Sequence, residues 1–229
     1  MKAVITGATK GIGRAIALKL AENNFELALV ARNSNDLDQL KSEIESKGGR
    51  ANIYAADCSI KSEVYGFVKS IEKTFGTIDV LVNNVGAFVP GNLLDEEDEV
   101  FEFQQSLNVN ATYYLSKFFG QMMRSQQHGH IFNICSVASN APVKNAGSYS
   151  VTKAAMLSLN HVLRQELAPH NVKVTAFLPG STKTASWEGT TIPDDKFVQP
   201  EDIADTLFTI LNLSKGVNVD EVLITPLNF

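Results

Sequence analysis

Short runs of β-branched and aliphatic residues alternate with stretches of helical period along this chain, and that alternation narrows its possible folds more than any other feature. In order the segments are AVIT, GRAIALKLAENN, ELALVA, LDQLKSEIESKG, ANIYAA, SEVYGFVKSIEKTFG and IDVLVNN. Strand-sized apolar runs joined by helix-sized connections predict parallel pairing, because a parallel neighbour is reached only by a crossover long enough to hold a helix. The pattern continues more loosely. A helix is expected from about Glu97 to Arg124, a strand at HGHIFNICS, a helix from Tyr149 to about Ala168, a strand at VKVTAFLP, a short helix from Pro200 to Leu213 and a closing strand at EVLITP. These make seven strands, expected in one mainly parallel sheet with helices on both faces. No repeat, low-complexity tract or Pro/Ser-rich linker divides residues 1–229, so one domain is the economical reading. At 44% hydrophobic residues the chain can bury a sizeable core.

Several function classes drop out early. The net charge of −5 is spread without a basic block, which argues against nucleic acid and anionic membrane as partners. Cys58 and Cys135 lie far apart with no metal-ligand spacing, so both are expected as reduced, buried thiols and no metal is expected. The N-terminus lacks a signal-peptide core, and no stretch approaches the roughly 20 apolar residues of a membrane span. A cytoplasmic protein acting on small molecules is the resulting expectation. None of the four histidines joins a nucleophile or a ligand cluster, and His128 and His130, flanking Gly129 in an apparent turn, are expected in solvent.

TGATKGIG falls between the first strand and the first helix. Glycines there let backbone N–H groups and a helix N-terminus approach a pyrophosphate, so the turn reads as a dinucleotide site in a Rossmann-type, doubly wound α/β domain. Gly7, Thr9, Lys10, Gly11, Ile12 and Gly13 are the candidate contacts, with the spacing G-x-x-x-G-x-G. The second strand ends Val30-Ala31-Arg32-Asn33, without the carboxylate that usually receives the adenosine ribose of NAD. Arg32 offers a planar fork to a phosphate and Lys10 a second cation, which predicts NADP(H).

Tyr149 and Lys153 stand four apart in a helical segment and share one face. An ammonium beside a phenol favours the phenolate and brings it toward the range of a general acid or base. Ser136, at the end of the strand HIFNICS, lies where ligands bind in open α/β sheets, and its hydroxyl can bond a carbonyl. TGATKGIG, NNVG at Asn83 to Gly86, Asn110, Ser136, Tyr149-x-x-x-Lys153 and Pro179-Gly180 together resemble the short-chain dehydrogenase/reductase family over nearly the whole chain.

The resemblance implies that Tyr149 donates the proton in carbonyl reduction and accepts it in alcohol oxidation. It makes Lys153 the residue that lowers the tyrosine pKa and holds the nicotinamide ribose, Ser136 the partner of the substrate oxygen, and Asn110 the asparagine that positions a water in the proton relay. It places Asp57 and the Cys58 backbone against adenine, Asn84 and Gly86 on the cofactor floor, and Pro179, Gly180, Thr182 and Thr184 against nicotinamide and pyrophosphate. Val85 and Thr182 depart from the family pattern, where alanine and an aliphatic residue are usual; neither removes a reactive group. The segment 185–199 falls where the resemblance puts a substrate lid. Trp187, Ile192 and Phe197 there, with Phe88 and Val89 after NNVG, are candidate pocket residues for a substrate with an apolar or aromatic portion; the alternative for Trp187 is simple packing of the loop.

The acidic run Asp95 to Glu99 suits the positive end of a helix dipole. The long helices carrying Asn110 and Tyr149 are apolar on more than one side, and in the family such helices pair in homodimers or homotetramers; the alternative is burial within one subunit. The leading expectation is an NADP(H)-dependent carbonyl reductase or alcohol dehydrogenase. The second is a 3-oxoacyl-thioester (acyl-carrier-protein) reductase, against which the ending VDEVLITPLNF lacks a glycine-rich close and looks more like sepiapterin-type and 3-hydroxy-acid dehydrogenases. A non-catalytic NADP(H)-sensing regulator is the reading from another class.

Overall fold

A computed structural model describes residues 1–229. Seven strands form a single sheet: β1 (Lys2–Thr6), β2 (Glu26–Ala31), β3 (Arg50–Ala55), β4 (Val80–Asn83), β5 (Gly129–Ile134), β6 (Val172–Pro179) and β7 (Glu221–Ile224). Their order is β3-β2-β1-β4-β5-β6-β7, and every pairing is parallel, where a mainly parallel sheet was expected. The order reverses between β1 and β4, so the C-terminal ends of these two strands open a crevice at a topological switch point.

Both faces are covered because successive strand residues point to opposite sides. In β1, Ala3 and Ile5 face a core built with α1 (Gly11–Glu22), α2 (Ser34–Ser46) and α7 (Pro200–Leu211). Val4 faces the other way, into a core with α3 (Lys61–Phe75), α5 (Ala111–Gln126) and the later turns of α6 (Gly147–Leu167). The helices read as amphipathic for the same reason. In α3, Val64, Phe67, Val68, Ile71 and Phe75 recur at helical spacing and all are buried. No helix is long and apolar enough to cross a membrane.

The helix expected from Glu97 to Arg124 is interrupted. It comprises α4 (Asp98–Gln104), one wide π turn at Gln105–Asn110, and α5. A π turn inserts one residue into the helical register and changes which side chains face inward. Asp98 and Glu99 occupy the first turn of α4, as the dipole argument expects. The loop ahead of α4 is fastened to the start of α6: the Gly91 amide donates to the Asn145 carbonyl at 3.0 Å, Gly147 returns a bond to the Gly91 carbonyl at 2.9 Å, and the Ser148 hydroxyl donates to the Glu96 carboxylate.

Two other expectations change. His130 is not in solvent. It is the second residue of β5, is 5% exposed, lies over the Phe132 ring at 3.9 Å and bonds the Thr175 hydroxyl at 2.8 Å. Burial pushes its pKa down to about 3. His128 is exposed and bonds Asp79 at 3.1 Å. Both cysteines are free and buried, and burial pushes their thiols up, to about 12 for Cys58 and about 11 for Cys135.

Candidate active site

Two adjoining cavities lie over the C-terminal ends of the strands, joined through Ile12, Asn84, Gly86, Ala87, Thr184 and Ser186, which line both. The larger, about 830 Å³, spans the β1–α1 turn, the end of β2 and the segments after β3 and β4. The smaller, about 360 Å³, lies over β5 and the start of α6.

The larger cavity is built chiefly from main chain. Gly7 adopts φ +63°, in the left-handed region. Gly13 serves a different purpose from the contact expected of it. It does not line the cavity; a Cβ there would stand 2.2 Å from the Gly7 carbonyl oxygen, so its missing side chain lets α1 close onto the turn. No side chain caps α1, whose N-cap is Lys10, and its first amides therefore remain free at the cavity wall. Thr6 and Asn84 clasp the crevice floor. The Thr6 hydroxyl accepts the Asn84 and Val85 amides, each at 3.2 Å, and donates to the Val82 carbonyl at 3.3 Å. The Asn84 side-chain amide donates to the carbonyls of Thr6 and Gly7, at 3.0 and 3.1 Å.

Thr9, Lys10, Gly11, Ile12, Arg32 and Cys58 all line this cavity, as do Asn84 and Gly86. Arg32 is exposed and forms no ion pair within the chain. Lys10 has an acidic neighbour: its exposed ammonium lies 3.8 Å from Asp36, in the first turn of α2, an acid that the strand-end reading passed over. Asp57 does not line the cavity. Its carboxylate accepts the backbone amide and hydroxyl of Ser59, at 2.9 and 2.7 Å. An uncapped helix end, a glycine cradle and an unpaired guanidinium together suit a dinucleotide phosphate.

The smaller cavity collects the polar groups expected of a reaction centre. Ser136 lies two residues beyond β5, as the N-cap of a short 3₁₀ turn at Val137–Ser139. Its oxygen accepts the Ala138 amide at 3.1 Å, which leaves the O–H proton free to donate toward the cavity. Tyr149 is half-buried, packs edge-on against Phe88 with centroids 5.0 Å apart, and makes no hydrogen bond through its hydroxyl within the chain. Lys153 is 5% exposed. One of its three N–H donors goes to the Ile134 carbonyl at 2.8 Å, and its Nζ lies 5.7 Å from the Tyr149 ring centre.

The asparagine at this corner is Asn108 rather than Asn110. Neither asparagine lines a cavity, but the Asn110 side chain only accepts a long bond from Gln105 at 3.4 Å. Asn108 is fully buried, exchanges bonds with the Ala87 amide and carbonyl at 2.8 and 3.1 Å, and donates to the Thr152 hydroxyl at 3.1 Å. A Cβ on Gly86 would sit 3.1 Å from its Oδ1 and 3.6 Å from Lys153 Nζ, so that glycine keeps the corner open. The π turn is what carries Asn108 inward. The sequence signal was its place in NVN, where two asparagines compete.

Pro179, Gly180, Thr182 and Thr184 line the smaller cavity, with Thr184 reaching both. Of the three apolar residues expected over a ligand in segment 185–199, only Trp187 lines it. Phe197 is buried beneath, and the rings of Trp187, Phe197 and Phe229 meet edge to face at 5.1 to 5.4 Å. Trp187 therefore both packs the loop down and walls the cavity. Ile192 and Val89 line neither cavity, whereas Val137 and Val143, which the sequence did not single out, line the smaller one.

The chain is similar to known proteins over nearly its whole length. The model of the short chain dehydrogenase family matches residues 1–193. An uncharacterized oxidoreductase of Staphylococcus epidermidis is 34% identical over 224 residues, covering 98% of this chain and 96% of the relative. Among solved structures, a metagenomic short-chain oxidoreductase in complex with NADP is 31% identical at TM-score 0.87, over 99% of this chain and 96% of its own. The alcohol dehydrogenase of the archaeon Thermococcus sibiricus, complexed with 5-hydroxy-NADP, is 29% identical at TM-score 0.90, over 97% and 95%. With its parallel sheet order, its glycine cradle and this match across most of its length, the chain belongs to the short chain dehydrogenase family.

Proposed function

We propose that the chain is an NADP(H)-dependent oxidoreductase that interconverts a carbonyl and an alcohol, with Tyr149 as general acid and base. The observation that carries this reading is the convergence of Ser136, Tyr149 and Lys153 on a cavity continuous with the glycine-cradled crevice. The two structural relatives described above were crystallised with NADP or a modified NADP, which supports the choice of cofactor.

Gly7, Gly11 and the free amides of α1 would hold the pyrophosphate, Arg32 a 2′-phosphate, and Thr184 and Gly180 the nicotinamide end. A nicotinamide bound there would supply hydride, a hydrogen with two electrons, for the carbonyl carbon. The residues of this chain act at the oxygen. The Ser136 hydroxyl donates a hydrogen bond to it and fixes its direction. As the C=O π pair moves onto oxygen, the Tyr149 hydroxyl transfers its proton there and becomes a phenolate. The Lys153 ammonium stabilises that phenolate, and the Ile134 carbonyl holds the lysine side chain in place. Asn108 braces the Ala87 turn and the neighbour of Lys153, where Asn110 was expected to act. Alcohol oxidation runs the same proton in reverse.

Lys153 is the only charged residue lining the smaller cavity, and Phe88, Val137, Val143 and Trp187 flank it. A neutral ketone or aldehyde with an apolar portion fits that wall. The exposed Tyr113 and Val162, on the outer sides of α5 and α6, support homo-oligomer formation through these helices. Replacing Tyr149 by Phe should lower kcat for ketone reduction by about 10² to 10⁴-fold, the range of general acid catalysis, with NADPH affinity within two-fold of wild type. Retained turnover refutes the mechanism. Tight NADPH binding with no turnover of any ketone by the wild type would instead favour a sensor.

A further inference from the structure

We propose that Asp36 is a selectivity determinant that works against the adenosine 2′-phosphate, competing with it for Lys10. The inference rests on the NADP(H) reading above. The β2 end carries no acid, so by strand-end logic this wall should be purely cationic; the fold nevertheless brings a carboxylate into it from the next element.

Asp36 is the third residue of α2 and lines the larger cavity together with Lys10, Arg32 and Asn33. The backbone that carries it is anchored, and the helix favours its charge. The Asn33 side chain caps α2 by accepting the Asn35 and Asp36 amides, at 2.9 and 3.2 Å, and the positive end of the helix holds the carboxylate in its first turn. Lys10 is the mobile partner, with a side chain 73% exposed against 29% for Asp36. Capping by Asn33 also means that α2, unlike α1, offers its first amides to its own side chain and not to a ligand. A 2′-phosphate entering this corner would therefore meet Arg32 unpaired, and Lys10 with the negative charge of Asp36 3.8 Å from its ammonium. Arg32 favours the phosphate and Asp36 opposes it, while the same carboxylate can accept the 2′-hydroxyl of a dinucleotide that lacks the phosphate. The net preference for NADP(H) over NAD(H) is smaller than Arg32 and Lys10 alone would give.

Isothermal titration of the full chain with 2′,5′-ADP, 5′-AMP, NADPH and NADH tests this without turnover. In Asp36→Asn, which keeps the side-chain shape, 2′,5′-ADP and NADPH should bind about three- to five-fold more tightly, the size an exposed ion pair supports. Binding of 5′-AMP and of NADH, which share the free 2′-hydroxyl, should not tighten, and both should weaken by up to about two-fold. Arg32→Ala separates the inference from its foundation. If Arg32→Ala binds 2′,5′-ADP as the wild type does, the NADP(H) assignment fails. If Arg32→Ala binds it more weakly but Asp36→Asn is unchanged, is weaker, or tightens 5′-AMP equally, the assignment stands and the role of Asp36 is overturned.

Discussion

The two adjoining cavities are made of different material. The larger one takes its shape from main chain, a glycine turn and an uncapped helix end braced by the Thr6–Asn84 clasp, with Lys10, Arg32 and Asp36 as side chains at its β2 end. The smaller one is walled by side chains that loops carry over β5, with Phe88, Val143 and Trp187 at its sides. A main-chain wall tolerates exchange of side chains but not an added atom, because its shape comes from close backbone approach. A side-chain wall behaves in the opposite way, so the smaller cavity can change its ligand by substitution without disturbing the sheet. The fold thus keeps a constant binding frame beside an adjustable one.

The sharpest way to break this contrast is Gly13→Ala. The new Cβ meets the Gly7 carbonyl oxygen, and since that contact is backbone on both sides it cannot relax cheaply. Overpacking of this kind should lower stability by about 1–3 kcal/mol, read as a fall in Tm of several degrees, and should weaken NADPH binding more than ten-fold. A variant with unchanged melting and binding would show that the cradle is pliable. Trp187→Ala tests the other side. Removing one ring of the aromatic trio should raise KM for an apolar ketone about ten-fold with NADPH affinity unchanged; an equal loss of NADPH binding would show the two walls to be one unit.

The smallest effect concerns the sheet beneath both cavities. His130 is held neutral with its folded pKa near 3, below the ordinary value of 6.5. Its stabilising contribution is complete above pH 6.5 and is lost as pH falls toward 3, because the unfolded chain takes up the proton first. His130→Asn should therefore lose about 1 kcal/mol less stability than wild type between pH 6 and pH 5 in denaturant titrations. Equal acid sensitivity in both proteins would mean that the imidazole is hydrated in the folded chain.

Which parts were readable in advance follows the same division. Strands and helices were legible because burial on two faces leaves β-branched runs, and the glycine turn, Ser136, Tyr149 and Lys153 were legible because their spacing is local. Three features were not. Asp36 enters the crevice from the polar side of α2, where a charge is unremarkable in sequence. His130 follows a glycine turn, and only pairing of β5 between β4 and β6 buries it. Asn108 stands two residues from Asn110 in NVN, and the resemblance points to Asn110; only the register set by the π turn brings Asn108 to the Ala87 backbone.

That wide turn at Gln105–Asn110 has a consequence for insertions and deletions in this segment. It holds one residue more than an α-helix needs, so losing Gln105 or Ser106, ahead of the buried pair Leu107 and Asn108, would let α4 and α5 join as an ordinary helix. The shortened chain would keep its fold. Asn108, however, would turn by roughly 100°, the angle of one helical residue, and leave the Ala87 turn without its brace. A single-codon deletion here would be felt at the Ala87 contact and at Leu107, which the same turn carries into the core.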